Sequence, residues 1–381
     1  MALSPLSHHA RLLADQEVAQ LLGDEADIAA MVAFEGALAR VEAREGLIGA
    51  DQAAAIGSAL EHFRPDMERL AQATLKDGVP VPDLVAQMRA GMDTKAAPLL
   101  HFGATSQDVV DTALALKLKP VLALLKQRLD AVDAALSTLI DRFADRPLMA
   151  RTRMQSAIMI TAGDRLKVWR GMLQEVAAAL PAMADRMLIL SLAGAAGSAE
   201  KFGERIGSLR AAMAQELGLS VPAGVPHADR DRIADFGSWL SRTTGALGKI
   251  GMDIALMAQN GVGQIALSGG GGSSAMPHKQ NPVLAEVLVA LARYNATQVA
   301  GLHQALVHEQ ERTGSAWTLE WLILPPMIEA TQLSSACGSA AVSRSRSAGP
   351  RRRSRSSASR AIRHPGEESI EVSAGRRPAS R

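Results

Sequence analysis

Residues 105 to about 145 carry one continuous helical pattern of aliphatic side chains, broken only by Pro120, which reads as a kink. A helix of that length constrains the fold more than any other feature, because its apolar face can be buried only against partners of similar length. The sequence supplies them: 163–180, 229–259 and 282 to about 311 repeat the same periodicity. Four long helices and few strand signals predict an all-α protein built on a helix bundle. Composition points the same way, since aromatics are only 3% while Ala, Leu and Met dominate, a mixture that packs through aliphatic ridges. With 48% hydrophobic and 21% charged residues, the chain can bury a substantial core.

Ahead of the bundle, 27–46 reads as a helix, with Asp27 as its cap and Gly46 as its left-handed stop, and 51–63 as a shorter one. Breaks at 78–82 and 91–98 then divide the chain into a small N-terminal helical domain, 1–98, and the central bundle, 99–337. After Cys337 the periodicity stops and Arg/Ser-rich text begins, so no packed helix is expected over 338–381. That tail holds eleven Arg, no Lys and three Glu, so the net charge of +2 conceals a mildly acidic body. The switch falls inside an amphipathic helix expected to open at Pro325 and Pro326, as a reading-frame slip would produce. A helical pattern continuing in another frame of the coding DNA would support that origin. The alternative is a natural tail that holds nucleic acid through its phosphates.

A single cysteine excludes an internal disulfide framework and a thiolate zinc cluster, which makes a reducing, cytoplasmic setting the expectation. The N-terminus lacks a basic segment leading into an apolar run, and the most apolar stretch, 187–196, is too short to span a bilayer. No HExxH, EF-hand or Cys/His ligand spacing occurs, so neither a metal nor another cofactor is expected. No GxSxG elbow for acyl transfer occurs either.

Three segments carry candidate chemistry. In His101-Phe-Gly-Ala-Thr-Ser-Gln-Asp108, Thr105 and Asp108 have the spacing of a capping box. Free N–H groups, the positive end of a helix dipole and the hydroxyls of Thr105 and Ser106 would also seat a carboxylate there, with His101 as a further donor. In Arg151-Thr-Arg-Met-Gln155, Arg151 and Arg153 suit bidentate carboxylate binding just ahead of a helix, although surface arginine pairs are common. The third segment, 269–282, is a glycine-rich run ending in Ser-Ser-Ala-Met-Pro-His-Lys-Gln-Asn-Pro, with Asn281 placed to cap the next helix. A flexible linker does not concentrate such groups. A phosphate loop needs Ser or Thr after its lysine, and Gln280 stands there.

A serine hydroxyl exchanges a proton with carbon only when its alkoxide is stabilised, and a mobile glycine loop brings the close N–H groups and water exclusion that this requires. Ser273 is the candidate acid/base. Lys279 and Asn281 would neutralise a substrate carboxylate and so acidify the adjacent C–H.

The three motifs, in this order and separation, resemble the fumarase/aspartase superfamily over about residues 5 to 335. The resemblance implies a long-helix bundle, a homotetramer whose active sites combine the segments from different subunits, and a small-molecule anionic substrate with neither membrane nor nucleic acid as partner. It implies Ser273 and Lys279 as catalytic, Asn281 on one carboxylate, Thr105 and Ser106 on another, and Thr152, Gln155, Ser274 and Met276 lining the pocket. Most members have His where this chain has Arg153. The family's 3-carboxymuconate-cyclising branch lacks that His, and the loop together with Glu311, Arg312, Trp317, Glu320 and Trp321 is similar to that branch. A tricarboxylate substrate met in protocatechuate breakdown is therefore implied, and an adenylosuccinate lyase-like C–N cleavage is the alternative. Met159 replaces the family's usual proline, which leaves the geometry of the second segment open. A cut near Cys337 would also deprive the chain of the family's C-terminal helical domain, an inactive product being the outcome if assembly fails.

Overall fold

A computed structural model describes residues 7–276 and 279–347. Short helices α1 (Ser7–Leu13) and α2 (Gln16–Leu22) lead into α3 (Asp24–Arg44), followed by α4 (Ala50–Glu61), α5 (Met67–Asp77) and α6 (Val81–Ala90). The longest helix, α7, spans Ser106–Phe143 and feeds a hairpin of β1 (Pro147–Thr152) and β2 (Gln155–Thr161). Then come α8 (Ala162–Ala178), α9 (Leu180–Met187), α10 (Ile206–Leu217) and α11 (Asp231–Ala258). A short β3 (Ile265–Leu267) precedes α12 (Val283–Gln304) and α13 (Ser315–Arg344), and β4 (Ser345–Ser347) pairs antiparallel with β3.

The protein is all-α apart from these short ladders. Along α7, Leu118, Leu125 and Val132 alternate with Leu122, Leu129 and Leu136, a seven-residue repeat that keeps one seam against its neighbours. Each such side chain is almost wholly buried, worth roughly 2 kcal/mol. The seam meets α8 and α13, and α11 in turn lies against α8, α12 and α13. Helices α11 and α12 approach closely because α11 presents glycine: a Cβ on Gly251 would sit 2.7 Å from the Ala285 carbonyl oxygen.

A second apolar cluster joins Met31, Phe34 and Leu38 of α3 with Ile56, Leu84 and Met88. The same cluster takes in Val109 and Ala113 of α7 and Leu209 and Met213 of α10. Residues of the expected 1–98 domain thus share their core with the first turns of the bundle's longest helix and with a segment over a hundred residues later.

Several boundaries differ from the sequence expectation. Helix α3 begins at Asp24 with Gly23 as its cap, and Asp27, expected to cap, instead pairs its carboxylate with Lys117. Helix α13 opens at Ser315, ten residues before Pro325, and carries both prolines inside it. Ile323, Leu324, Met327 and Ile328 around them are buried, so packing on α7, α11 and α12 outweighs the lost backbone bonds. The helix also runs past Cys337 to Arg344 with Gly338, Ala341 and Val342 buried, whereas periodic structure was expected to stop at 337. The rest of the Arg/Ser-rich stretch, 348–381, lies outside the described residues.

Helix α3 buries two carboxylates, Glu35 and Glu42, in the second cluster's neighbourhood. Neither side-chain oxygen of Glu42 has a hydrogen-bond partner among the described residues. Burial, and next the charge of Glu35, push the Glu42 carboxyl from the ordinary 4.5 up to about 9. A group whose folded pKa is raised contributes its full stability below the unfolded value and loses it as pH rises through the folded one. The wild type should therefore lose melting temperature between about pH 5 and about pH 9 more steeply than Glu42→Gln, followed by circular dichroism. Parallel pH curves for the two proteins would contradict this assignment.

Candidate active site

At the start of α7 the expected capping box forms: Thr105 is the N-cap, and Asp108 Oδ2 accepts from the Thr105 N–H at 3.1 Å. Asp108 does more than cap. Its Oδ1 accepts from the Ala193 N–H at 2.8 Å and its Oδ2 from the Gly194 N–H at 2.9 Å. The Ser191 hydroxyl lies 3.3 Å away and the His227 Nε2 2.8 Å away. With no exposed surface, this carboxylate fastens the helix start to the 191–194 segment and to the 227 loop. Gly103, at φ 72°, lets the chain enter the helix beneath Phe202, whose ring would lie 2.5 Å from an added Cβ.

Three residues along, Asp111 meets Arg230 at 2.5 Å, and the same guanidinium donates its Nε to Glu320 Oε1 of α13 at 2.8 Å. Burial alone would raise the Asp111 carboxyl, but Arg230 and Arg232 hold it below its ordinary value. Burial would likewise lower Arg230, yet Asp111 and Glu320 hold it above. His308 lies 3.8 Å from Glu320, and burial, then Arg230, push its imidazole below its ordinary value. None of this network follows from local sequence, since its partners stand 90 and 119 residues apart.

The resulting helix start is a polar seat. Thr105 Oγ1 accepts from Arg312 Nη1 at 2.9 Å, and Arg312 Nη2 donates to the Ala195 carbonyl at 2.9 Å. Ser106 is the first helical residue and half-buried. His101, half-buried with φ 64°, places its Nδ1 2.6 Å from Glu35 Oε1. Arg312 joins the seat although in the sequence only the family resemblance singles it out, and the Glu35 partnership has no local signal.

The second segment corrects an expectation. Arg151 and Thr152 end β1, Gln155 begins β2, and Arg153 with Met154 forms the two-residue tip, where a mere approach to a helix was expected. Both tip residues have positive φ, 49° and 65°, the form a tight hairpin needs but one that glycine or asparagine usually fills. Residues 151–155 are exposed, as are Ile158 and Met159 on β2. Such a hairpin lacks the buried alternate face that makes strands legible.

In the third segment, Gly271 and Asn281 exchange two backbone hydrogen bonds of 2.9 Å, closing the loop at its base. Asn281 was expected to cap α12. Its amide instead donates to the Gly272 carbonyl at 3.3 Å, Pro282 stands at the cap position, and the helix starts at Val283. Ser273, half-buried, accepts from the Met276 N–H at 3.2 Å, and the Lys279 N–H bonds to the Met276 carbonyl at 3.0 Å. Ser274, Met276 and Lys279 face solvent.

Helix lengths decide which segments can meet. Thr105 heads the 38-residue α7 and the hairpin follows its tail, so a rod of about 57 Å separates them. The glycine loop precedes α12, 22 residues or about 33 Å long, whose far end leads to Arg312 and hence Thr105. The hairpin and the loop share the other end, for Gln264, next to β3, donates to the Met149 carbonyl at 2.9 Å. Among the described residues no hydrogen bond joins the first segment to either of the others. One chain thus holds the polar seat at one end and the serine and arginines at the opposite end.

A family model described as Lyase matches residues 15–301, and the chain belongs to this family, the fumarase/aspartase superfamily. It is 38% identical to 3-carboxy-cis,cis-muconate cycloisomerase of Pseudomonas aeruginosa over 81% of this chain and 68% of that protein. The enzyme of the same name from Pseudomonas putida is 35% identical over 80% of this chain and 74% of its own. The solved 3-carboxy-cis,cis-muconate lactonizing enzyme from Pseudomonas putida superposes with a TM-score of 0.83. The two are 33% identical, across 88% of this chain and 76% of that one.

Asp108→Ala would strip acceptors from four N–H or O–H donors and from a buried imidazole nitrogen. A loss of about 3 kcal/mol or more in denaturant unfolding is expected. A cost below about 1 kcal/mol would show that Asp108 does not anchor the helix start.

Proposed function

We propose that this protein is a 3-carboxy-cis,cis-muconate cycloisomerase, closing its substrate to 4-carboxymuconolactone in protocatechuate breakdown. The observation that carries the proposal is the joint likeness, in sequence and in backbone, to cycloisomerases over four fifths or more of this chain. The residues present suit the chemistry. One substrate carboxylate adds its oxygen to an alkene carbon, and the adjacent carbon, α to a second carboxylate, takes a proton. Ser273 delivers that proton and regains one from solvent, so the trianionic substrate becomes a dianionic lactone.

Lys279 and Asn281 stand eight residues or fewer from Ser273 and would hold the carboxylate whose α-carbon is protonated, stabilising the electron-rich intermediate. Thr105, Ser106 and Arg312 would hold another at the α7 start, where helix dipole and guanidinium both favour an anion. Arg151 and Arg153, exposed at the hairpin tip, offer cations for the third, with Thr152 and Gln155 as neutral neighbours.

Because one chain keeps these groups at opposite ends of its long helices, the site forms where copies pack together. The reading as a homotetramer with shared sites accounts for the exposed hairpin, which displays Met154, Ile158 and Met159 to solvent in the single chain. No helix among the described residues is long and apolar enough to cross a membrane.

Ser273→Ala should abolish lactonisation, followed as loss of muconate absorbance, while leaving the melting temperature unchanged because the loop makes few contacts with the core. Retained turnover in that variant would remove Ser273 from its assigned role.

A further inference from the structure

Helix α3 carries Glu35 and Glu42 seven residues apart, both within 1% of full burial. A carboxylate at that depth costs several kcal/mol unless a donor meets it. Among the described residues Glu42 has no donor, but Glu35 has one: His101 Nδ1 at 2.6 Å, with the acid fully enclosed and the ring 16% exposed. The contact spans 66 residues and depends on a special backbone, because His101 adopts φ 64° where a non-glycine residue pays about 1 kcal/mol or more. A strained residue that turns its ring onto a buried acid, four residues ahead of the polar seat at Thr105, is overdetermined for packing alone.

The geometry points to Glu35 as a positioning residue that orients His101 for a substrate carboxylate. The inference rests on the proposal that the α7 start binds a carboxylate, and adds what steers its imidazole. A carboxylate only accepts, so Nδ1 keeps its proton and the ring is pinned in one orientation. Nε2 makes no hydrogen bond to any described residue, and the side chain retains some solvent access while Glu35 has none. A substrate carboxylate at Nε2 would place the imidazole between two acids, where a ring that takes up a second proton from solvent could donate from both nitrogens in charge-assisted bonds. Glu35 itself touches no substrate.

The test compares Glu35→Gln, His101→Gln and the double variant of the full chain. Tricarballylate, a saturated tricarboxylate, serves as calorimetric probe, and steady-state kinetics are run with 3-carboxymuconate. Glu35→Gln should weaken tricarballylate about tenfold and raise KM by a similar factor, with kcat within about twofold of wild type. In the His101→Gln background the same change should have no further effect, because its only route to the ligand is gone. Unchanged binding in Glu35→Gln, or an equal loss in both backgrounds, would overturn the assignment. Should Glu35→Gln fail to fold, Glu35→Asp keeps the charge but draws the acceptor away from Nδ1. It should show the same weakening, and wild-type binding by folded Glu35→Asp would refute the idea. A wild type that binds tricarballylate without lactonising 3-carboxymuconate would sink the preceding functional reading, yet leave this comparison intact.

Discussion

The bonds of one enclosed carboxylate, Asp108, set where the longest helix begins. It accepts from backbone N–H groups of Ala193 and Gly194 and of the helix's own cap, and it meets His227. One turn on, Asp111 and Arg230 extend the polar lock to Glu320 of α13. Charged groups so deep contribute little net stability, since desolvation offsets their attraction, but removing one partner is costly. Their effect is registry: an aliphatic seam such as Leu118 to Leu136 tolerates a slip along the bundle, whereas a multiply bonded carboxylate does not.

That registry delivers Thr105, Ser106 and Arg312 to one end of the bundle, and the same long helices deliver the glycine loop and the hairpin to the other. The division explains features that look unfinished in a single chain. The hairpin tip holds two non-glycine residues at positive φ with hardly any burial, and the loop carries its lysine into solvent. The hairpin turn itself requires that backbone, and in the proposed assembly another copy would cover its exposed tip.

Much of this was legible in the sequence, for reasons particular to each element. Helices α7, α11 and α12 declare themselves because a 3.6-residue period over more than twenty positions is hard to imitate. The Thr105 and Asp108 box needs only residues three apart. Asn281 misled because it precedes a helix and a proline, the pattern of a cap, while the loop's closure onto Gly271 depends on pairing that no local pattern encodes. The start of α13 was missed because Pro325 and Pro326 usually open a helix, and only burial on several sides lets them sit within one. Glu35 with His101, and Arg230 with Asp111, join residues 66 and 119 apart. Such pairs become visible only when the fold brings them together.

Mixing two inactive chains tests the divided site most directly. Ser273→Ala disables the loop end and Arg312→Ala the seat end, and each should be inactive alone. If sites draw on different subunits, oligomers reassembled from both variants contain some sites with neither defect, and lactone formation should return. A mixture that demonstrably exchanges subunits yet remains as inactive as its components would contradict the account, because both groups would then belong to the same chain's site.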